Sequence, residues 1–267
     1  MAGLKTAFAL IALASLMYAI PMLEPMQKEI ANGDEIYLGE IGPGQTISMS
    51  FDGRPKTGGM YGLGGAYELA NASNLPGGWS ATPSDWAGIP LQVKVTAAKQ
   101  APEGEYRFKV EVLDVEPEAL QNYSFYVKVN ITHDVLRASL DSSKKQTLSG
   151  QPARFYVTIE NKASTGDVFK VSSTNVPKWA FNKYVYVPAK GSRTIYYEVV
   201  SAEESEYYPL ISVVSESSSM INQTLQSTVE VNPSLLADYK ATGNGMLFFP
   251  AMNGLVYALA GLLSNLF

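Results

Sequence analysis

The residues of this chain that could do chemistry are few. His133 is the only histidine and there is no cysteine, so disulfides, thiolate metal sites and cysteine nucleophiles are excluded. A lone histidine cannot supply a multi-histidine metal site, nor a hydrolase triad with a second base nearby. We therefore predict no catalytic residue, no metal site and no cofactor, and we interpret His133 as a linker residue between two domains.

Two clusters of carboxylates are the other candidates for a cation site or an acid–base pair. They are Asp114/Glu116/Glu118 and Glu203/Glu204/Glu206. Closely spaced carboxylate oxygens can bind calcium, but neither run has the Asp-x-Asp-x-Asp-Gly order of a dedicated loop. Nothing identifies an acid and its partner across a cleft, as a glycosidase requires. We interpret both clusters as solvated loop charge and expect no enzymatic activity.

The glycine- and aromatic-rich stretch Gly58–Tyr67 is the most unusual segment of the sequence. No helix start and no Lys-Ser/Thr follows its glycines, so it does not predict a phosphate site. It is either a long loop or an exposed patch that docks a partner or the membrane surface. The partner-contact candidates are Met60, Tyr61, Tyr67 and Trp86.

Charge-free segments lie near both ends. The first, Thr6–Leu23, follows Lys5, and its 18 residues lie between the lengths of a signal peptide and of a spanning helix. We assign residues 1–23 to a signal peptide or a signal anchor and leave both open. Either one predicts that the chain from Glu24 onward is exported.

The second segment, Met246–Phe267, is predicted to be a transmembrane helix, because 22 residues at about 1.5 Å each can cross a hydrocarbon core of about 30 Å. Small residues recur in it at spacings of three and four, which would let another helix approach closely. These helix-packing candidates are Ala251, Gly254, Ala258 and Gly261.

Between these segments the hydrophobic period is two. Leu91, Val93 and Val95 alternate with polar residues, and similar runs recur about every ten residues with Gly, Pro, Asn and Ser between them. This pattern predicts an all-β chain with two tandem β-sandwiches, at 35–132 and 134–231.

An internal repeat supports two copies of one domain. The first copy runs Gly42-Pro43-Gly44-Gln45, Leu75-Pro76-Gly77-Gly78-Trp79 and Pro102-Glu103-Gly104-Glu105-Tyr106. The second runs Leu148-Ser149-Gly150-Gln151, Val176-Pro177-Lys178-Trp179 and Glu206-Tyr207-Tyr208. Each Pro-to-Trp step places a large ring at a strand start, where it can cap the core.

This order of motifs resembles the immunoglobulin-like modules of bacterial α-galactosidases and the CARDB domains that occur in tandem in S-layer-type and other membrane proteins of archaea. The second copy departs from the pattern, because Ser149 replaces a proline and Glu204-Ser205 stands where Glu103-Gly104 would be. The resemblance implies adhesion, spacing or assembly at a prokaryotic, archaeal cell surface, with no catalytic machinery.

Charge and glycosylation motifs bear on the partners of the chain and on its surface modification. Net charge is −5 and the 20 Lys and Arg residues form no basic patch, so no nucleic-acid partner is predicted. The glycosylation candidates are Asn71, Asn122, Asn130 and Asn222.

Three functions remain open. The first is a surface scaffold, adhesion or envelope-assembly protein, and the second is an accessory ectodomain subunit of a membrane complex. The third is a carbohydrate-binding module, in which tryptophans and tyrosines stack on sugars. All three predict a membrane-anchored chain with an extracellular ectodomain, and the first two predict a protein partner or self-assembly.

Overall fold

A computed structural model describes residues 19–55, 64–116, 120, 122–148, 151–176, 181–200 and 205–233. These residues form nineteen β-strands, with no helix among them. The chain divides between His133 and Asp134 into two compact units, here called sandwich 1 and sandwich 2.

Sandwich 1 has two sheets around one core. Its strands are β1 (Ala19–Glu24), β2 (Lys28–Ala31), β3 (Glu35–Ile41), β4 (Thr46–Phe51), β5 (Leu69–Ser73), β6 (Ser80–Thr82), β7 (Leu91–Thr96), β8 (Gly104–Leu113) and β9 (Tyr123–Ile131). One sheet has the order β2-β1-β4-β7-β6 and the other β3-β9-β8-β5. All pairs are antiparallel except β3 with β9.

The period-two pattern explains this packing, because alternate side chains of a strand point to opposite faces. Leu91, Val93 and Val95 of β7 are fully buried while the residues between them face outward. Across the core, the ring of Phe51 on one sheet meets that of Phe125 on the other edge to face, with centroids 5.5 Å apart.

The start of sandwich 1 differs from the sequence prediction. Residues 19–23, assigned to the N-terminal signal or anchor, lie in β1, which pairs with β2 and β4. Ile20 and Met22 are buried in the sandwich core, so their apolar character serves a strand. Sandwich 1 therefore begins sixteen residues before the predicted Glu35, while residues 1–18 lie outside the described part of the chain.

Sandwich 2 contains the remaining strands. They are β10 (Leu136–Leu140), β11 (Lys144–Leu148), β12 (Pro152–Asn161), β13 (Asp167–Thr174), β14 (Lys183–Val187), β15 (Ser192–Val200), β16 (Glu206–Tyr207), β17 (Leu210–Ser215), β18 (Asn222–Gln226) and β19 (Thr228–Asn232). The sheet orders are β10-β12-β15, β14-β13-β17-β18 and β11-β19-β16.

Strand order identifies both units as immunoglobulin-like sandwiches. Such folds place strands B and E in one sheet and strands C, F and G in the other. Here β4 pairs β7 and β12 pairs β15 in the first sheets, while β5-β8-β9 and β13-β17-β18 are the second. The units differ in one strand: β6 extends the B–E sheet of sandwich 1, whereas β14 extends the C–F–G sheet of sandwich 2.

The first repeat motif forms the turn into β4. The N–H of Gly42 donates to Gln45 Oε1 (2.7 Å), and the N–H of Gly44 donates to the carbonyl of Ala98 (3.0 Å). Gln45 is fully buried, so its amide fixes the turn from within. The matching Leu148-Ser149-Gly150-Gln151 leads into β12, the equivalent strand of sandwich 2.

Candidate functional site

His133 lies at the end of sandwich 1 against one carboxylate. Glu103 Oε1 accepts a hydrogen bond from the backbone N–H of His133 (2.9 Å) and lies 3.7 Å from its Nδ1. These contacts close the loop after β9 and agree with a structural role for the histidine.

Asp114 of the first acidic cluster and the buried Glu68 both bind the backbone of the loop after β8. Asp114 Oδ2 accepts from the N–H of Leu120 (2.8 Å), and Glu68 Oε2 accepts from the N–H of Val115 (2.8 Å). Within the described residues no three His, Asp or Glu side chains are grouped as a metal site would need. Glu118, Glu203 and Glu204 lie outside those residues.

Tyr67, predicted as an exposed partner contact, is instead a core residue. It is 3% exposed, and its ring meets that of Tyr123 edge to face at 6.3 Å. Its N–H donates to the carbonyl of Gly53 (2.8 Å), which closes the long loop at its base. The prediction failed because a glycine-rich run before β5 gives no period from which to assign a face. Met60 and Tyr61 lie outside the described residues.

Trp86 is exposed, as predicted, and is held on a well-bonded loop. The N–H of Ser84 donates to the carbonyl of Ala70 (2.9 Å), and the N–H of Ala87 donates to the carbonyl of Glu68 (2.8 Å). These bonds lay the loop along β5. Trp86 is 55% exposed and the neighbouring Ile89, which the sequence did not single out, is 67% exposed. The loop therefore presents two large apolar side chains on a fixed backbone.

The four sequon asparagines are on surfaces of the two sandwiches. Asn71 and Asn130 are half-buried on the outward sides of β5 and β9, whereas Asn122 and Asn222 are exposed at strand starts. The amide of Asn222 donates to the carbonyl of Ser219 (2.7 Å), and that of Asn122 accepts from the N–H of Asp114 (3.0 Å). The two exposed residues are the more accessible acceptors for a glycan.

The outer face of the β3-β9-β8-β5 sheet carries paired charges. Arg107 binds Glu35 (2.7 Å) and lies 3.5 Å from the ring centroid of Tyr126. Lys109 donates to Glu111 (2.7 Å), and this hydrogen bond holds the pKa of the Glu111 carboxyl below its usual range. Exposed pairs of this kind stabilise little, and they leave the face nearly neutral.

Sandwich 2 instead exposes aromatic rings on two of its sheets, β10-β12-β15 and β14-β13-β17-β18. Tyr156 and Tyr196 are directly opposite each other on β12 and β15, and Lys183 Nζ lies 3.5 Å from the centroid of Tyr196. Tyr184 and Tyr186 project from β14 on the other sheet, and each is 59% exposed. The sequence analysis did not single out these rings as surface features.

Sequence analysis also missed Asp167, the one carboxylate that is buried among the described residues of sandwich 2. Asp167 is 4% exposed and accepts hydrogen bonds from the hydroxyls of Ser215 (2.7 Å) and Ser217 (2.8 Å) and from the N–H of Val168 (2.7 Å). All three donors belong to strand ends or a turn, so the group joins the start of β13 to the turn after β17. It is a structural cluster with a single acid.

The helix-packing candidates Ala251, Gly254, Ala258 and Gly261 lie outside the described residues, as does the whole segment 246–267. Within the part of the chain that is described, no helix has the length and hydrophobicity needed to cross a membrane. The predicted stripe stays a prediction.

Comparison with known proteins adds little beyond the fold. No protein-family description matches the sequence, and no curated protein sequence matches it.

Several solved structures show a distant similarity to this chain. A chimeric titin Z1Z2 carrying a decorin peptide matches at TM-score 0.35 and 8% identity, over 82% of this chain and 100% of that one. The D0-D1 domain of intimin matches at TM-score 0.26 and 11% identity, over 73% and 94%. A PapD-like domain of human CEP192 matches at TM-score 0.28 and 10% identity, over 36% and 86%. These scores are too low to carry an argument, so the immunoglobulin-like assignment rests on strand order.

Proposed function

We propose that this chain is a non-catalytic, membrane-anchored surface protein that acts as a scaffold, adhesion or envelope-assembly module. The observation that carries the proposal is that two self-contained sandwiches occupy the chain between two charge-free segments. Each sandwich has its own buried core, which lets a chain without cysteine stay folded outside the cell.

The surfaces of the sandwiches support binding over chemistry. The buried carboxylates Glu68 and Asp167 are engaged with backbone and hydroxyl donors, and Glu103, which lies beside His133, accepts from the backbone N–H of that residue. In contrast, large apolar and aromatic side chains project from fixed strands and loops. Exposed rings on a rigid framework are typical of protein–protein contacts.

Removal of the C-terminal segment tests the membrane anchor. A chain that ends before Met246 is expected to be recovered in the soluble fraction, whereas the full chain should require detergent, because the deleted 22 residues carry no charge. The measurement is the partition of both forms between carbonate-washed membranes and supernatant. Soluble recovery of the full-length chain without detergent would refute the proposal.

The extent of β1 bears on the N-terminal segment. With residues 19–23 in the sandwich, the charge-free run left outside it is Thr6–Tyr18. Thirteen residues form a helix of only about 20 Å, which is short for a bilayer core of about 30 Å but within the range of a signal-peptide core. We therefore favour a cleaved signal peptide over an anchor.

Cleavage after Ala14 is the expected processing step. Ala12 and Ala14 supply the small residues at −3 and −1. This cut leaves a short apolar core, the six residues Thr6–Ile11, and it leaves β1 complete. Cleavage after Ala19 would remove the first residue of β1, which pairs with Ala31. We expect the mature chain isolated from its own membrane to begin at Ser15, as read by intact mass and N-terminal sequencing. A mature chain that retains Met1 would contradict this expectation and restore the signal anchor.

The second candidate function, an accessory subunit of a membrane complex, is favoured by one observation. Trp86 and Ile89 are presented together on a loop that is bonded to β5 through Ser84 and Ala87. Tryptophan is a frequent energetic centre of protein interfaces. Purification in mild detergent separates the two functions, because an accessory subunit would bring an unrelated chain at a fixed ratio.

A further inference from the structure

Sandwich 2 has one sheet edge that the described structure leaves open. In the sheet β14-β13-β17-β18, strand β14 occupies the edge, and among described residues its only strand partner is β13. Its five residues read Lys-Tyr-Val-Tyr-Val. Val187 is buried, whereas Tyr184 and Tyr186 project to solvent.

The hydrogen-bond pattern shows which backbone groups of β14 face outward. In an antiparallel pair each residue directs both its N–H and its C=O to the same neighbour. The N–H of Glu216 donates to the carbonyl of Val168 (2.9 Å), so Val168 and every second residue of β13 bond toward β17. Phe169, which is opposite Val185, must then bond toward β14. The N–H and C=O groups of Tyr184 and Tyr186 consequently point to the open edge.

Natural sheets usually protect such edges with charge, proline, bulges, short strands or covering segments. Within the described part of the chain, the middle of β14 has none of these, since its one charge, Lys183, is at the end of the strand and Pro188 lies just beyond it. Tyrosine and valine also favour extended pairing strongly.

The other described edges of sandwich 2 are protected, and in the β11-β19-β16 sheet β11 begins with two lysines while β16 has only two residues. At β10, the amide of Gln223 accepts from the N–H of Ala138 (2.6 Å) and donates to its carbonyl (3.1 Å), so the side chain replaces a strand. At β15, Lys183 Nζ donates to the carbonyl of Tyr196 (2.7 Å). Strand β18 has only polar outward side chains and begins at the sequon residue Asn222.

The edges of sandwich 1 are protected as well. Strand β2 has four residues with two charges, and β6 has only three residues. Strand β3 has a register shift between Tyr37 and Glu40, and β5 is covered by the loop through Ser84 and Ala87. Among the described edges, β14 is therefore the one suited to pairing with another strand.

We propose that β14 pairs antiparallel with β14 of a second copy of this chain, with Val185 on the twofold axis. In this register Tyr184 lies opposite Tyr186 of the other copy, which brings the outward backbone groups of both strands into hydrogen-bonded pairs. The register also places two cross-strand tyrosine pairs on one face, an arrangement that stabilises sheets.

Charge and chemistry favour a second copy over a foreign strand. Lys183 lies opposite Val187 of the other copy, so no like charges meet, and the pattern is complementary to itself, as a twofold contact requires. This contact would be the assembly interface of the proposed envelope-assembly protein. It rests on that proposed function in one respect, namely the attachment of both copies to a membrane. Attachment to a common membrane raises the effective concentration of the two strands, so a short contact can suffice.

The mass of the full chain in mild detergent is the first test. The wild-type chain is expected to form a concentration-dependent dimer in sedimentation velocity. The double substitution Tyr184→Lys and Tyr186→Lys should weaken that dimer by about 100-fold, because it places two pairs of like charges opposite each other. The matched control is Tyr156→Lys, at an equally strand-borne tyrosine that is 47% exposed on the other sheet, and it should leave the dimer unchanged.

Cysteine cross-linking tests the register, and the chain has no native cysteine to interfere. Full-length Tyr184→Cys and Tyr186→Cys variants, mixed and oxidised, should form a disulfide-linked dimer, because hydrogen-bonded partners have Cα atoms about 5.5 Å apart. Either variant alone should remain uncross-linked, since its two cysteines are diagonal neighbours about 7–8 Å apart.

A wild-type chain that is monomeric at all concentrations, or a cross-link to an unrelated protein at position 184, would overturn the proposal. Cross-linking of the Tyr184→Cys variant alone would overturn the register and with it the twofold axis at Val185. The same preparations also show whether the chain needs detergent to stay in solution. This second measurement distinguishes failure of the β14 contact from failure of the membrane anchor. A monomer that still needs detergent refutes only the β14 contact, and a dimer released without detergent refutes only the membrane anchor.

Discussion

Replacing Trp79 with alanine is expected to lower the free energy of unfolding of sandwich 1 by about 3–5 kcal/mol, the usual cost of truncating a buried tryptophan. The indole is 8% exposed, and its ring centroid lies 5.4 Å from that of Tyr106 and 6.1 Å from that of Phe108. Truncation therefore opens a cavity against two aromatic residues in the first half of β8. Urea unfolding followed by circular dichroism measures the effect.

Trp86→Ala is the matched control, because it removes the same side chain from the same sandwich at a position that is mostly in water. Its expected cost is below about 0.5 kcal/mol, as for most surface substitutions. Equal destabilisation by the two substitutions would contradict the burial described here. The unfolding of sandwich 2, which has a separate core, should be unchanged in both variants.

Trp79 also shows how far the sequence could be read. Its position after a Pro-Gly-Gly turn and before a short strand predicted a ring that caps the core, and that prediction is confirmed. The prediction worked because a turn followed by strand alternation has a local signature. The all-β class could be read from the same alternation, since the period of two is a property of the strand itself.

The start of sandwich 1 could not be read in this way. Ile20 and Met22 follow an apolar run without a break, and an uninterrupted run does not say where a membrane-type segment ends and a buried strand begins. The assignment of β1 depends on its pairing with Phe51 and Ser50 of β4. That pairing is non-local, so no window of the sequence contains it.

The surface residues show a second limit. Tyr67 and Tyr186 each stand in tyrosine-rich stretches, yet the first is buried and the second is exposed. The burial of each tyrosine depends on non-local packing. Tyr67 packs against Tyr123, whereas Tyr186 is on an edge strand that extends the C–F–G sheet. The sequence repeat predicted two copies of one domain with a divergent second copy, but it did not predict the change from β6 to β14 that creates the open edge.

Replacing Asp167 with alanine is expected to destabilise sandwich 2 by about 3 kcal/mol, because three donors lose their acceptor together. They are the hydroxyls of Ser215 and Ser217 and the N–H of Val168. A buried donor left without a partner costs about 1–3 kcal/mol. For three donors the lower bound is therefore about 3 kcal/mol, and the expected loss stays near this bound because the partly buried Ser217 can hydrogen-bond to water instead. Urea unfolding should show a shift in sandwich 2 and none in sandwich 1.

Two further substitutions separate the hydrogen bonds from the charge. Asp134→Ala removes an exposed carboxylate that binds Lys162 (2.7 Å) and should cost below about 1 kcal/mol. Asp167→Asn keeps the shape and one acceptor oxygen, so an intermediate loss is expected if the carboxylate acts as a hydrogen-bond acceptor for the turn. Full stability of Asp167→Ala would contradict this account. Since the same turn leads into β18 and Gln223 of β18 closes the β10 edge, loosening it should also expose that edge and raise aggregation on unfolding.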